Sequence, residues 1–261
     1  MMISISRRQS KSRGARCALK ILLGLVTVAF WVFLWWIVAR RVNAEVILPT
    51  PRRVAERFIE LAQTRKFWLT SLHSLGRILS GYLCGVVGGI VLALITHFLP
   101  PARTLFSPLL TVIRSTPVAS FVILALIFIG NATLPLFISS IIVLPVIWGN
   151  IVSGLDSIDK GLLEVSELYA LGFRKRWHAL YFPSLRPYLF PALTSSLGLA
   201  WKSGISAEVI ANTKNSIGNM LHESQVYLET TDLFVWTLAV IILSLILEAT
   251  LRKLNERSAK K

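Results

Sequence analysis

Residues 155–187 read LDSIDKGLLEVSELYALGFRKRWHALYFPSLRP, the longest polar interruption between apolar segments in the second half of the chain. The pattern is helical, but the segment cannot cross a bilayer because too many of its side chains are charged. These include Asp156, Asp159, Lys160, Glu164, Glu167, Arg174, Lys175 and Arg176. Long apolar runs flank the stretch on both sides, so we interpret it as a folded loop held at one face of a membrane. Such a loop is most simply a docking surface for a soluble partner.

Composition places the chain among membrane proteins. Of its 261 residues, 54% are hydrophobic, the mean hydropathy is +0.65, and the apolar residues come in long blocks, as is typical of a polytopic membrane protein. The net charge of +15 is concentrated in the tails and in certain loops, which indicates membrane orientation rather than nucleic-acid binding. Cys17 and Cys84 have neither metal-ligand nor redox-motif spacing, so we expect no metal site and no disulfide framework.

The apolar blocks predict an all-α fold with six transmembrane helices. We divide the chain into a basic tail at 1–20, a first span at 21–39, an external connector at 40–76, a core at 77–251 and a basic tail at 252–261. Within the core we expect spans at 77–98, 117–130, 134–152, 188–211 and 233–251, with a short apolar helix at 105–113 that cannot cross. Gly81, Gly85, Gly88 and Gly89 predict close helix packing in the second span.

The connector contains a predicted amphipathic helix. Thr50 suits the N-cap and Pro51 the first turn, and Val54, Phe58 and Leu61 then fall on one face. The pattern leaves two roles open, because the helix could lie in the membrane interface or pack on the bundle as a plain connector.

Six spans place both basic tails on the same side as the loop at 155–187, and the positive-inside rule identifies that side as the cytoplasm. The loop at 212–232 is then external, and acidic residues outnumber basic ones there. The connector is an exception, because it is rich in arginine although parity places it outside. The rule is a bias summed over all loops, so we retain the six-span topology.

Signatures of enzyme chemistry are missing from the sequence. It contains no GxxxxGK[ST], so we expect no ATP binding through a P-loop, and it contains no GxSxG, HExxH or CxxC. The four histidines are scattered. A binding or transport role needs fewer polar groups, and we therefore predict that the chain is not an enzyme.

Two short helices are predicted within the loop. Asp159 can cap a helix at 160–171, Gly172 can end it, and a second helix at 174–182 runs to Pro183. The turn between them, residues 170–173, would present an apolar tip to the cytosol. Glu164 lies near the basic run at 174–176, where it could brace the two helices by ion pairing.

The loop resembles a cytoplasmic motif of permease subunits of binding-protein-dependent ABC importers. That motif reads EAA, three residues, G, nine residues and I-x-L-P. This chain has Glu164-Val165-Ser166, then Ala170, then Leu180-Tyr181-Phe182-Pro183 at the same spacing. Val165 and Ser166 replace two alanines, Ala170 replaces glycine, Leu180 replaces isoleucine and Phe182 replaces leucine. Because alanine stands where the family has its turn glycine, we expect Gly172 to supply the turn.

The resemblance extends over roughly residues 46–250. Its further parts are ILPTP at 47–51, SLxRxxxGY at 74–82, RSTPVA at 114–119 and GLAW at 198–201. Together they are similar to the nitrate/sulfonate/taurine subgroup of the MetI-like permease superfamily, which also includes relatives for bicarbonate and for thiamine precursors.

The resemblance implies a permease subunit in a bacterial inner membrane, dimerised with a second permease copy on two ABC ATPase subunits. An extracytoplasmic solute-binding protein would deliver an aliphatic sulfonate, a nitrate- or bicarbonate-like anion, or a thiamine-precursor-like heterocycle. ATP and Mg²⁺ would bind the partner ATPase, and this chain would need no cofactor. The motif positions Glu164, Val165, Ser166 and Ala170 would couple to the ATPase, and we add Leu171, Gly172 and Phe173 as the predicted tip.

Lys202 lies about 15 residues beyond Pro187, roughly 22 Å along a helix and close to mid-membrane. A charge at that depth costs at least about 2.5 kcal/mol, so it needs a partner or water. One hypothesis is that Lys202 lines the translocation pathway with Trp201, Ser203, Ser206 and Glu208. The alternative is a snorkelling lysine, or a Lys202–Glu208 pair that only holds helices together. Such a pair would need a break near Gly204, because a spacing of six is poor for pairing on a regular helix.

Ser115, Thr116 and Pro117 interrupt the chain before the third span, where they either line the cavity or only punctuate the helix. Two other functions stay open: a secondary transporter that couples ions through Lys202 and Glu208, and a non-transporting membrane scaffold. The sequence shows no inverted repeat, and a cytoplasmic helix–turn–helix has no use in a secondary transporter, so that function is disfavoured. Loss of uptake on deletion of the chain would separate a permease from a scaffold.

Overall fold

The computed structural model describes the backbone of residues 4–259 and the side chains of residues 22–255. Every element in that part of the chain is helical. In chain order the helices are α1 (Ser4–Val42), α2 (Pro51–Ala62), α3 (Arg65–Phe98), α4 (Pro100–Ser115), α5 (Val118–Leu126), α6 (Leu134–Asp156), α7 (Lys160–Leu168), α8 (Phe173–Arg176), a π-helical turn (Trp177–Tyr181), α9 (Phe182–Ala211), α10 (Ile217–Val226) and α11 (Thr230–Ala259). The side chains of the predicted basic tail at 1–20, and most of those at 252–261, lie outside the described part.

Four of the described helices are long and apolar enough to cross a membrane: Leu22–Val42 of α1, α3, α6 and Thr230–Asn255 of α11. Helices α4 and α5 together would make a fifth crossing, bent by 105° at a short break. Helix α9 has 30 residues, roughly 45 Å, but serines, prolines and Lys202 interrupt its apolar residues. The all-helical membrane fold is confirmed, and the count of six crossings stays a prediction.

Several boundaries differ from those predicted. The span predicted at 77–98 is the second part of α3, which begins at Arg65 after Thr64 accepts a hydrogen bond from the Phe67 amide at 3.3 Å. Charged residues do not by themselves end a helix. The backbone hydrogen bonds are made within the helix, so the helix can continue beyond the bilayer. The apolar helix predicted at 105–113 extends over all of α4.

Two spans and one loop also differ. The third predicted span, 117–130, contains only the nine-residue α5, which is too short to cross alone. Helix α9 begins at Phe182 rather than at 188, because Pro183 falls in its first turn, where proline is tolerated. The polar loop predicted at 212–232 contains α10.

Glycines allow α3 to pack closely against α6. An ideal Cβ placed on Gly81 would lie 2.3 Å from the Leu136 carbonyl oxygen, and one on Gly85 would lie 2.5 Å from that of Ser140. A side chain at either position would force the helices apart. Because higher numbers on α3 meet higher numbers on α6, the two helices run in the same direction.

Helix α9 runs in the opposite direction to α6. The Ser139 hydroxyl donates to the Ala200 carbonyl at 3.2 Å, while Gly154, further along α6, packs against Leu185, earlier in α9. If α3 and α6 both cross the membrane, the bent pair α4–α5 must return the chain between them.

Helix α11 reverses direction again. The Trp201 indole donates to the Val240 carbonyl at 3.1 Å, and the Asn255 amide donates to the Phe190 carbonyl at 3.3 Å, so α9 and α11 are antiparallel. Helix α1 touches the bundle mainly near its C-terminal end, where Trp35 stacks on Phe234 at 5.5 Å.

The molecule has two distinct ends. At one end, α2 is joined to the start of α11 by a bidentate ion pair in which Arg57 donates to the two oxygens of Asp232 at 2.7 and 2.9 Å. The carboxylates of Asp232 and Glu60 raise the pKa of Arg57 above its ordinary value, so this contact stays ionised. Helix α2 therefore packs on the bundle. The loop at 155–187 lies at the opposite end.

Candidate functional site

The turn in the loop is made by Ala170 and not by Gly172. Asp159 caps α7 as predicted, accepting from the Gly161 amide at 2.7 Å, but α7 ends at Leu168. Ala170 has φ +45°, whereas Gly172 has φ −57° and precedes α8. Two backbone hydrogen bonds close the helix end. The Ala170 amide donates to the Glu167 carbonyl at 2.9 Å, and the Leu171 amide donates to the Ser166 carbonyl at 3.0 Å. This is a Schellman ending, so the motif position normally held by glycine keeps its left-handed conformation here with alanine.

The chain after the turn stays helical into the membrane. Helix α8 passes into the π-helical turn, and the Phe182 amide donates to the Trp177 carbonyl. Pro183 has no amide hydrogen for the normal bond to Ala179, and a π turn next to it accommodates that loss. The second helix was predicted at 174–182, but the chain stays helical beyond that end and continues into α9. The turn is joined to α9 without a flexible linker.

We call residues 168–173 the elbow. Its side chains project outward, with Leu168 84%, Tyr169 77% and Phe173 67% exposed. The predicted motif residues divide by burial, since Ser166 is buried while Glu164 and Val165 are exposed. Of the other predicted tip residues, Leu171 is half-buried and Gly172 is exposed.

The two sides of the elbow are tied by Glu167 rather than by Glu164. Arg176 Nη1 lies 3.4 Å from Glu167 Oε1, whereas Glu164 forms no ion pair with the described residues. The predicted brace by Glu164 is therefore wrong. Glu167 lies one position before Leu168, at the end of α7 next to the turn, where its carboxylate can reach across to Arg176.

A row of stacked aromatic rings leads from the elbow to the bundle. Phe173 stacks on Trp177 with ring centroids 6.1 Å apart, and Trp177 stacks on Tyr181 at 5.6 Å. Tyr181 in turn meets the His97 ring of α3 edge-on at 6.5 Å. The i, i+4 spacing of these aromatics was visible in the sequence but was not recognised. We call these four residues the aromatic row.

A second contact fixes the base of the loop. Arg103 at the start of α4 donates to both oxygens of Asp156 at the end of α6, at 3.2 and 2.8 Å. The loop is thereby connected to the broken pair α4–α5 as well as to α3. The loop, which continues into α9, therefore has contacts with both α3 and α4.

At the other end of the molecule lies a buried polar cluster around Glu208. Its carboxylate accepts from the Ser74 hydroxyl at 2.7 Å, from Arg77 at 3.0 Å and from the Gly218 amide at 3.2 Å. Ser74 also accepts from the Ile217 amide at 2.8 Å. These five residues, which we call the Glu208 cluster, join α3, α9 and the start of α10.

The predicted Lys202–Glu208 pair is absent. The Glu208 carboxylate is hydrogen-bonded to Ser74, Arg77 and Gly218 instead. A spacing of six residues corresponds to a rotation of ~240°, so the two side chains lie about 120° apart around the helix axis and point to different faces. Helix α9 is continuous through Gly204, so no break brings them together. Gly204 packs closely instead, since an ideal Cβ there would lie 2.6 Å from the Ser139 hydroxyl.

The other predicted pathway residues on α9 also divide between two faces. Trp201 and Ser203 are buried against other helices. Lys202 and Ser206 are exposed, and with Ser195 and Leu199 they follow the 3–4 spacing of one helix face. We call these four exposed residues the α9 stripe.

The predicted break before the third span is confirmed as a sharp bend. Ser115 and Pro117 are exposed and Thr116 is half-buried, while both hydroxyls donate to the Val112 carbonyl, at 3.0 and 2.7 Å. No described hydrogen bond or ion pair joins these residues to the α9 stripe. Arg114, which the sequence interpretation passed over, lies at the same bend with its guanidinium against Gly149 of α6.

The chain matches, over residues 85–260, the family described as the binding-protein-dependent transport system inner membrane component. It belongs to that family. The match includes the elbow, the bend between α4 and α5, and the whole of α9. The resemblance drawn from the loop motif is thereby confirmed.

Two relatives match this permease over nearly all of its length, and a third matches a little over half of it. It is 26% identical to the taurine transport system permease protein TauC of Escherichia coli (strain K12), over 91% of this chain and 89% of that protein. It is 21% identical to a putative aliphatic sulfonates transport permease protein, SsuC, of Bacillus subtilis (strain 168), over 91% and 86%. The bicarbonate transport system permease protein CmpB of a Synechocystis strain is 29% identical over 58% of this chain and 54% of that protein.

The fold of this permease also matches a solved structure. The crystal structure of an amino acid ABC transporter with histidines has a TM-score of 0.62 and 18% sequence identity, covering 78% of this chain and 97% of that one. At that identity the match concerns the fold alone. The chain is therefore a permease subunit of the ABC importer class, with the helical fold of such permeases.

Proposed function

We propose that this permease moves a small solute into the cytoplasm and is driven through its elbow by a separate ABC ATPase. The observation that carries the proposal is the elbow itself, because it presents three large exposed side chains beyond the end of the bundle. A soluble partner with an apolar groove would bury Leu168, Tyr169 and Phe173. The Schellman ending, the Glu167–Arg176 pair and the aromatic row hold these side chains in one geometry.

The same geometry supports a route for the force. Movement of the elbow acts on α9 through continuous helix, on α3 through the contact of Tyr181 with His97, and on α4 through Arg103. Closure of two ATPase subunits would bring two elbows together and open the cavity to the other side. The second permease copy that this requires is most simply identical to the first.

The proposed topology has six crossings, with the elbow and both termini in the cytoplasm of a bacterial cell. Support comes from the directions of the helices, because α3 and α6 run one way, α9 runs the other and α11 reverses again. The basic residues near both ends of the sequence favour the cytoplasmic side. The Glu208 cluster and α10 would then lie near the outer face, where a solute-binding protein would dock.

The pathway is proposed to run along the α9 stripe and past residues 115–117. A face that carries Lys202 and two serines is costly in lipid and inexpensive against water. The relatives transport taurine, aliphatic sulfonates or bicarbonate according to their names, which favours a small sulfonate or a similar anion here. A thiamine-precursor-like heterocycle has less support.

A secondary transporter coupled through Lys202 and Glu208 is not favoured, because that pair does not form. Co-purification tests the proposal directly. The tagged permease should retain an ABC ATPase in mild detergent, and Phe173→Asp should release it, whereas Phe128→Asp, at an exposed phenylalanine of the opposite end, should not. Retention of the ATPase by the Phe173 variant, or ATP-independent uptake by the permease reconstituted alone, would contradict the proposal.

A further inference from the structure

A groove between α9 and α11 carries charges of both signs. It has a volume of ≈ 570 Å³, within the range of small-molecule sites, and opens beside the α9 stripe. Its polar lining consists of Lys202, Glu248 and Arg252 together with Thr194, Ser195 and Asn255. We call it the α9–α11 groove. Glu248 and Arg252 were not recognised from the sequence as pathway residues.

Lys202 and Glu248 both line this groove but do not form an ion pair with each other. The Glu248 carboxylate rests against bare helix backbone, since an ideal Cβ at Gly198 would lie 2.9 Å from Glu248 Oε1. Lys202 follows Gly198 by about one helical turn. Among residues 22–255, neither Lys202 nor Glu248 forms an ion pair, and neither side chain forms a hydrogen bond to a protein group.

Water, rather than lipid, is the expected surroundings of these two charges. Unpaired charges are rare on lipid-facing helix surfaces and mark aqueous paths or ligand sites. Helix α1 provides the contrast, because no residue from Leu22 to Val38 is charged. Lys202 lies nine residues before the end of α9, roughly 14 Å along the helix axis.

We propose that the α9–α11 groove binds a small zwitterion, a solute that carries both an acidic group and an ammonium group. The acidic group would lie at Lys202, with Arg252 at the mouth of the groove, and the ammonium group would lie at Glu248. A simple anion of the same size would gain the contact with Lys202 but would meet repulsion from Glu248. The inference rests on the proposed transport function and narrows its substrate to amino-sulfonates and similar molecules.

Ligand protection of an introduced cysteine tests this directly on the purified permease–ATPase complex in nanodiscs. In a background with Cys17→Ser and Cys84→Ser, Ser195→Cys is labelled with a charged, membrane-impermeant methanethiosulfonate. Leu25→Cys on the apolar face of α1 is the matched control. We expect Ser195→Cys to react many times faster than the control. Equal rates would mean that lipid or a second copy covers the groove, and would overturn the inference.

Two probes of equal size then separate the ligand classes. Taurine carries an ammonium group, and isethionate has a hydroxyl group in its place. At millimolar concentration, taurine should slow labelling of Ser195→Cys several-fold and isethionate should slow it much less. Adding Glu248→Gln should remove the advantage of taurine, and adding Lys202→Met should remove protection by both.

Equal protection by the two probes, or no protection by either, would overturn the inference. Neither result touches the proposed coupling to an ATPase, which fails only if the Phe173 variant keeps its ATPase or if transport needs no ATP. The two ideas can therefore fail separately.

Discussion

At the scale of single residues, the Glu208 carboxylate joins α3, α9 and α10. The side chain is fully buried, and it accepts hydrogen bonds from three groups on two other helices, Ser74 and Arg77 of α3 and Gly218 of α10. A buried carboxylate that loses its cationic partner is strongly destabilising, because nothing else repays its desolvation. Glu208 therefore holds helices together, as one of the two sequence hypotheses allowed, but through Arg77 rather than Lys202.

Replacement of Arg77 should lower stability. Arg77→Met leaves Glu208 without a cation, and we expect a loss of about 3 kcal/mol. Arg65→Met, at an exposed position of the same helix, should have almost no effect. Thermal unfolding in detergent measures both variants, and equal melting temperatures would contradict the importance of the Glu208 cluster.

The turn at Ala170 makes a second residue-scale prediction. Ala170→Gly should stabilise the elbow by about 1 kcal/mol, because glycine adopts the left-handed conformation without the steric cost that alanine bears. Gly172→Ala should be nearly neutral, since its φ is ordinary and an added Cβ would have no neighbour within 4 Å.

Hydrogen exchange of amides 166–176 reports on this turn. Slower exchange in the Ala170 variant and unchanged exchange in the Gly172 variant would support the assignment. The reverse order would place the turn at Gly172.

Sequence reasoning located the elbow but not its internal contacts. The cap at Asp159 is local and follows from its position before an apolar run. The ion pair across the turn could be made by Glu164 or by Glu167. Which of them reaches Arg176 depends on whether α7 ends at Leu168, as it does, or at 171, as predicted. Likewise, the partner of Glu208 lies 131 residues away on α3, and spacing along one helix cannot identify it.

At the scale of elements, the contact between α3 and α6 depends on glycines, which have no side chain to hold the helices apart. Gly81, Gly85 and Gly89 let the two backbones approach each other. The sequence predicted close packing from these glycines, and the structure identifies the partner as α6. The starting point of α3 was not predictable from apolarity, because the helix continues beyond its membrane-spanning part.

A methyl group at Gly85 should separate these helices. We expect Gly85→Ala to cost about 1–3 kcal/mol, because its Cβ would meet the Ser140 carbonyl oxygen at 2.5 Å. Gly76→Ala, on the same helix with no neighbour within 4 Å, should stabilise α3 by up to about 1 kcal/mol. The melting temperatures of the two variants should shift in opposite directions. Shifts in the same direction would contradict the close packing of α3 on α6.

At the scale of the whole molecule, the two ends of the bundle carry different features. One end holds the Glu208 cluster, α2 and α10, and the other holds the elbow. The alternation of helix directions follows from apolar blocks and loop parity, so the sequence could predict it, while the count of six crossings stays a prediction. The bend between α4 and α5 and the α9–α11 groove depend on three-dimensional packing, so the sequence indicated only that residues 115–117 interrupt a helix.

The central claim is that an ATPase on the cytoplasmic side binds the elbow. Its most direct test is photo-crosslinking in intact cells, with p-benzoylphenylalanine placed at Phe173 in one variant and at Phe128 in the other. Both side chains are exposed, at opposite ends of the molecule. We expect a covalent product with the ATPase subunit from position 173 and none from position 128. A product from position 128 alone would contradict it.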